Sequence, residues 1–195
     1  MAERPILFSA PMVRAILDSR KTMTRRIIKD PVPTQFPDWF AGAKWDPEFG
    51  MVVVDRGGVG RGTWPRECPY GKPGDHLWVR ETWQSLVEHD KLAPSQIPEG
   101  ADIQYPATYD GWVSKRRPSI HMPRWMSRIT LEITGLRVER LQAISEEDAK
   151  AEGCGNHPVG AARGWFHDLW DEINGPESWP ANPWVWVIEF GRIKP

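Results

Sequence analysis

Basic residues and hydroxyls crowd into one short stretch, Asp18-Ser19-Arg20-Lys21-Thr22-Met23-Thr24-Arg25-Arg26. It holds one lysine, two threonines and three arginines, directly after a short apolar helical pattern. The chain as a whole is almost neutral, with 25 Lys and Arg against 26 Asp and Glu. A local excess of positive charge in such a chain has a local task. It meets an anion, or it surrounds a lysine with like charge so that its proton is easily lost.

Other residues offer chemistry at lower density. Glu81 closes a strand pattern from His76 to Trp83, beside Arg80 and Trp83. An Arg80–Glu81 pair can read a base edge while Trp83 stacks on the base face. Neighbouring strand residues point to opposite sides, so both reach one pocket only across a bulge. Cys154-x-x-His157 has metal-ligand spacing, with Cys68 as a distant third donor. Zinc sites usually show two such pairs or a tighter cluster, so two loop or core thiols are expected, with no metal and no cofactor. There is no glycine-rich phosphate loop, serine nucleophile elbow or zincin helix motif. Gly57-Gly58-Val59-Gly60 lacks a following helix and reads as a loop, and Lys115-Arg116-Arg117 reads as a solvated loop. Twelve tryptophans are several times ordinary usage. Most should fill core and pin Pro-rich loops, with one or two free to stack on a base.

These residues need elements to position them. Ile6-Leu7-Phe8 reads as a short buried strand. Ser9-Ala10-Pro11 opens a helix, with Pro11 in the first turn where its missing N–H is harmless. Met12, Val13, Ile16 and Leu17 give that helix a buried face, and it should stop around Ser19 to Lys21. Thr22 to Ile28 is β-branched and basic and reads as extended. Residues 30–74 are rich in Pro, Gly and Trp, with only Met51-Val52-Val53-Val54 strand-like, and read as an ordered insertion carrying a small hairpin. After the Pro73-Gly74-Asp75 turn comes the His76 to Trp83 strand. Residues 85–123 form a second irregular insertion. Arg128 to Leu141 alternates cleanly, broken at Gly135. Ser145-Glu146-Glu147-Asp148 is a capping-box pattern, and Gly153 closes the short helix that follows. A second helix covers Trp165 to Ile173. Pro183 to Ile193 is apolar on both faces, as a central strand is. The expected fold class is α+β, a small mixed β-barrel with short helices at its ends, in a single domain over residues 1–195.

The near-zero charge excludes a protein that coats nucleic acid with its whole surface, and leaves room for a confined basic patch. No apolar run approaches the roughly 20 residues that span a bilayer, and the N-terminal Met1-Ala2-Glu3-Arg4-Pro5 has no signal-peptide pattern. Two cysteines make no disulfide framework. A cytoplasmic protein with no membrane partner is the expectation.

Several of these elements together resemble the ASCH family, a branch of the PUA-like barrels. The likeness rests on Ser19-Arg20-Lys21-Thr22-Met23-Thr24 after the first helix and on Pro73-Gly74-Asp75 entering a strand. The helix from Ser145 to Glu152 and the closing strand Trp186-Val187-Ile188-Glu189-Phe190 complete it. The length and the Trp-rich insertions resemble phage- and prophage-encoded members. The family usually carries Gly where this chain has Ser19. The resemblance implies an amidohydrolase that removes the acetyl group from N4-acetylcytidine. By motif its catalytic residues fall on Lys21, Thr24 and Glu152, and the motif's trailing arginine on Arg26; Arg25 beside it is a further substrate-binding candidate. In such acyl transfer Thr24 supplies the hydroxyl and a neutral Lys21 takes its proton. Glu152, at the end of its helix, protonates the leaving amine. Lys21 and Glu152 should titrate as a pair. Thr22 shares a face with Thr24 in an extended segment and competes for the nucleophile role. The same cleft could instead be a non-catalytic reader of single-stranded RNA or of a modified base, in which Arg25 and Arg26 neutralise phosphate and a Trp stacks, or a ribonuclease. An ordinary Lys21–Glu152 ion pair closing the barrel is the plainest alternative.

Overall fold

A computed structural model describes residues 1–29, 43–48, 51–55, 61–63, 67–109, 111, 113–155, 158 and 160–194. Its ten strands are β1 Glu3–Leu7, β2 Met23–Ile27, β3 Ala43–Asp46, β4 Met51–Asp55, β5 Arg61–Thr63, β6 His76–Arg80, β7 Gln84–Ser85, β8 Ile103–Gln104, β9 Thr130–Arg140 and β10 Trp184–Ile193. The α-helices are α1 Ala10–Leu17, α2 Glu146–Ala151 and α3 Ala162–Asn174. The calls on Gly57 to Gly60 and on His157 lie outside the described residues.

The α+β class holds, but among the described residues eight of the strands make one large mixed sheet and not a closed barrel, while β7 and β8 pair with each other apart from it. Strand β9 is its spine. One side pairs antiparallel with β10 from Trp184 opposite Arg140 to Ile193 opposite Thr130. The other side carries β6 near its start and β3 near its end. The first insertion therefore extends the main sheet with the β3–β4–β5 meander. Strand β1 runs parallel to β6 at one edge, and β2 pairs with β10 at another. Among the described residues no ladder joins β1 to β2. The Arg26 guanidinium crosses between them, donating to the Leu7 carbonyl at 2.9 Å. Gly135 sits where the β9–β10 register shifts, and a Cβ there would lie 2.6 Å from the Glu189 carboxylate. A bulge with glycine lets the two long strands bend without a clash.

Strand β10 has the two apolar faces expected of it. Trp184, Trp186, Ile188 and Phe190 join the main core with Ile6, Leu77 and Leu131. Val185 and Val187 face a second core with Met23, Leu141, Phe166 and Trp170, which α2 and α3 close. The second insertion builds a third small core on Trp83, Ile97, Met122 and Met126. Arg117 is buried in this region, stacked 5.3 Å from the Trp83 ring and donating to the His89 carbonyl, so it is not the solvated loop residue its neighbours suggested. Among the described residues no helix is long and apolar enough to cross a membrane.

Helix α1 ends in a Schellman motif. The Ser19 amide donates to Ile16 and the Arg20 amide to Ala15, at 3.0 and 2.8 Å. That geometry puts Ser19 in the left-handed region, at φ 59°, where glycine alone carries no Cβ penalty. Ser19→Gly should therefore stabilise the fold by about 0.5–1 kcal/mol, the left-handed penalty less glycine's extra chain entropy. A rise in the urea midpoint at unchanged slope is the expected result. An unchanged or lower midpoint would contradict the strain at Ser19.

Candidate functional site

Two helix ends meet at the start of β2. Beyond α2, Glu152 is the C-cap and Gly153 follows at φ 103°, with its amide on the Lys150 carbonyl. A Cβ on Gly153 would lie 3.0 Å from the Ala15 Cβ and 3.1 Å from the Lys21 Cβ. Glycine thus frees the chain to turn and lets the end of α2 press against the end of α1. The Thr22 amide donates to the Ala151 carbonyl at 2.9 Å, and the Arg20 guanidinium to the Gly153 carbonyl at 3.1 Å. Between them, Lys21 and Glu152 form an isolated antiparallel bridge.

Both side chains are buried, Lys21 at 2% and Glu152 at 3% exposure. The Lys21 amine donates to Glu152 Oε2 at 2.6 Å and to the carbonyls of Met23 and Glu152, each at 2.8 Å. Three acceptors match the three donors of an ammonium, so the resting pair is ammonium and carboxylate. Burial pushes the Lys21 pKa below its ordinary value, and the Glu152 carboxylate opposes that shift. A neutral amine facing a carboxylic acid is one proton transfer away, along the 2.6 Å hydrogen bond.

The other carboxylate oxygen, Glu152 Oε1, accepts from Arg25 at 3.2 Å. Arg25 also donates to Asp148 at 2.6 Å and to Glu139, and it stacks 5.8 Å from the Phe166 ring. Arg137 closes the cluster by pairing with Glu139, Asp148 and Glu189. Arg25 and Arg137 both lie opposite Val187 on β10, one on each neighbouring strand, so strand register stacks them on one face of the sheet.

Beside this network lies a cavity of about 280 Å³. Thr24, Arg25, Arg26 and Ile27 of β2 form one wall together with Glu152. Phe166, Leu169, Trp170, Ile173 and Asn174 of α3 form another, with Met12, Lys29 and Tyr70 completing the lining. The Thr24 hydroxyl has no hydrogen-bond partner among the described residues, and it makes no bond to Lys21. Thr22 is exposed and does not line the cavity, which leaves Thr24 as the hydroxyl at the wall. Arg26 points to the opposite side of β2 from Arg25, 5.3 Å from the Phe8 ring.

Arg80, Glu81 and Trp83 do not join this cavity. Glu81, at 1% exposure, is held by both arms of Arg128 at 2.9 and 3.0 Å. Trp83 is fully buried in the third core and offers no face for stacking. Arg80 lies over Trp78 at 4.6 Å and donates to the Ile120 carbonyl. The register after β6 sends these side chains into the second insertion and away from β2. Cys68 and Cys154 are buried and free, burial raises the pKa of both thiols, and that of Cys68 reaches about 11. No group of three or more metal-binding side chains occurs among the described residues.

Three members of the charge network, Arg137, Glu139 and Asp148, escaped the sequence reading. Arg137 and Glu139 look like ordinary outward positions of an alternating strand, and Asp148 like a capping residue. The available signal was the helix pair that follows β9, because it covers the face on which those charges lie.

The Lys21–Glu152 pair should behave as a coupled buried unit. Lys21→Met, which leaves Glu152 with Arg25 alone, should cost about 3–5 kcal/mol in urea unfolding. Lys21→Met combined with Glu152→Gln should cost less than the sum of the single variants by about 1 kcal/mol or more. Additive losses would contradict the pairing.

No family model matches the chain, and no curated protein matches it. Among solved structures, the fold is similar to an ASCH domain from Lactobacillus crispatus JV V101, at 11% identity and a TM-score of 0.45, over 98% of this chain and 79% of that one. It is also similar to a DUF984 protein from Enterococcus faecalis V583, at 9% identity and a TM-score of 0.44, over 99% of this chain and 80% of that one.

Proposed function

We propose that the cavity takes the acylated heterocycle of a modified nucleoside, such as N4-acetylcytidine, and that Thr24, Lys21 and Glu152 hydrolyse its amide. One observation carries this reading. Thr24 and Glu152 share a cavity wall, and Lys21 contacts Glu152 at 2.6 Å from behind. Transfer of one proton along that bond creates a neutral amine and a carboxylic acid together, which are the base and the acid that amide cleavage needs. The Thr24 oxygen then attacks the acyl carbon while its proton passes to Lys21. The C–N bond breaks as Glu152 gives its proton to the leaving nitrogen, and the pair returns to ammonium and carboxylate. Water cleaves the acyl-threonine ester in a second step.

A second reading has its own support. All three donors of Lys21 are engaged, and no hydrogen bond links it to Thr24. A site so saturated suits a binding module that reads a modified base in RNA without changing it.

Purified protein incubated with N4-acetylcytidine and with a short single-stranded RNA, followed by mass, separates these outcomes. Release of acetate and cytidine is expected. Thr24→Val, which keeps the shape and removes the hydroxyl, should lower that rate by about 100-fold or more at an unchanged melting temperature. Full activity in Thr24→Val would contradict the nucleophile. Binding without turnover supports the second reading, and strand cleavage a ribonuclease.

A further inference from the structure

The cavity wall carries three cations, Arg25, Arg26 and Lys29, and one carboxylate, Glu152. That carboxylate is already matched by Lys21 and Arg25, and Arg25 is further answered by Glu139 and Asp148. Arg26 is different. Its guanidinium donates to two backbone carbonyls, Leu7 at 2.9 Å and Arg25 at 3.3 Å, and is hydrogen-bonded to the Tyr70 side chain, while no carboxylate lies within ion-pair distance among the described residues. A guanidinium has five N–H donors, so Arg26 keeps donors unused. The residue is only partly buried and lines the cavity. Burial disfavours its charged form, and the Tyr70 side chain stands beside it. Lys29 is exposed and lines the same cavity.

An unanswered cation in a half-buried wall, with a second cation in the same lining, concentrates positive potential inside the cavity. We infer that the cavity takes its heterocycle with a phosphate attached, and that Arg26 and Lys29 hold that phosphate. This rests on the reading of the cavity as a nucleoside site. Arginine's planar fork fits two phosphate oxygens and lysine adds a point charge. Arg26 is two residues along β2 from Thr24, about 7 Å on the strand repeat. The anion and the reacting carbonyl would be gripped at separate points, as the ribose of a nucleotide separates phosphate from base.

Calorimetric titration with cytidine, cytidine 5′-monophosphate, the dinucleotide CpC and inorganic phosphate tests this without any turnover. A hydrogen-bonded charge contact predicts that the monophosphate or CpC binds about 10- to 100-fold tighter than cytidine at low salt. The gain should shrink as salt rises. Arg26→Gln should abolish most of it and Lys29→Gln part of it. Lys29 is exposed, so its variant tests the site even where loss of the Arg26–Leu7 contact weakens the fold. Preference for the monophosphate marks a free nucleotide as ligand, and preference for CpC marks a residue within RNA; either supports the inference. If the phosphate adds nothing to binding, or its gain survives in both variants, the inference is overturned. A phosphate-dependent gain without hydrolysis of N4-acetylcytidine removes the hydrolase reading alone, and hydrolysis without the gain removes this inference alone.

Discussion

The buried pair of Lys21 and Glu152 ties together parts of the chain that are far apart in sequence. Removing two charges from water costs several kcal/mol per ion, and attraction offsets this only when the geometry is good and the remaining donors and acceptors are satisfied. Here they are. The ammonium meets three oxygens at 2.6–2.8 Å, and the second carboxylate oxygen meets Arg25. The pair lies where the last carbonyls of two helices converge, and such carbonyls favour a cation. Lys21 is thus part of the fold and holds Glu152, which lines the cavity.

Strand β2 divides its labour by the period of two. Arg25 goes to the helix side, where Glu139 of β9, Asp148 of α2 and Glu152 at the end of α2 answer its charge with three carboxylates. Arg26 goes to the other side, where it meets carbonyls and the Phe8 ring. Adjacent arginines of one motif therefore have different jobs. One holds Glu152 in place, and the other lines the cavity without a carboxylate partner among the described residues. Thr24 and Glu152 line the same cavity as both arginines.

Much of this was legible in the chain. The two apolar faces of β10, the Ser145 cap and the Gly153 stop each rest on local chemistry, and the Ser145 hydroxyl does accept the Asp148 amide. The meeting of Lys21 with Glu152 was suggested by motif resemblance alone, because no local rule joins residues so distant. Closure of the barrel was not legible. Alternation says which face of a strand is buried but not which strand lies beside it, and the meander of β3 to β5 adds to the sheet instead of closing it. Trp83 misled for a related reason, since an indole next to charged residues looks like a stacking platform until an insertion folds over it. Arg137 and Glu139 were hidden because a paired buried charge and a solvated one look alike in a strand pattern.

The account depends most on an ordered Lys21 ammonium held by Glu152, which lines the cavity. Nitrogen-15 NMR of lysine side chains at neutral pH observes that group directly. One slowly exchanging ammonium resonance, assigned through its loss in Lys21→Arg and displaced in Glu152→Gln, is the result expected. A Lys21 signal that exchanges with water as fast as the surface lysines, and ignores the change at Glu152, would contradict the account.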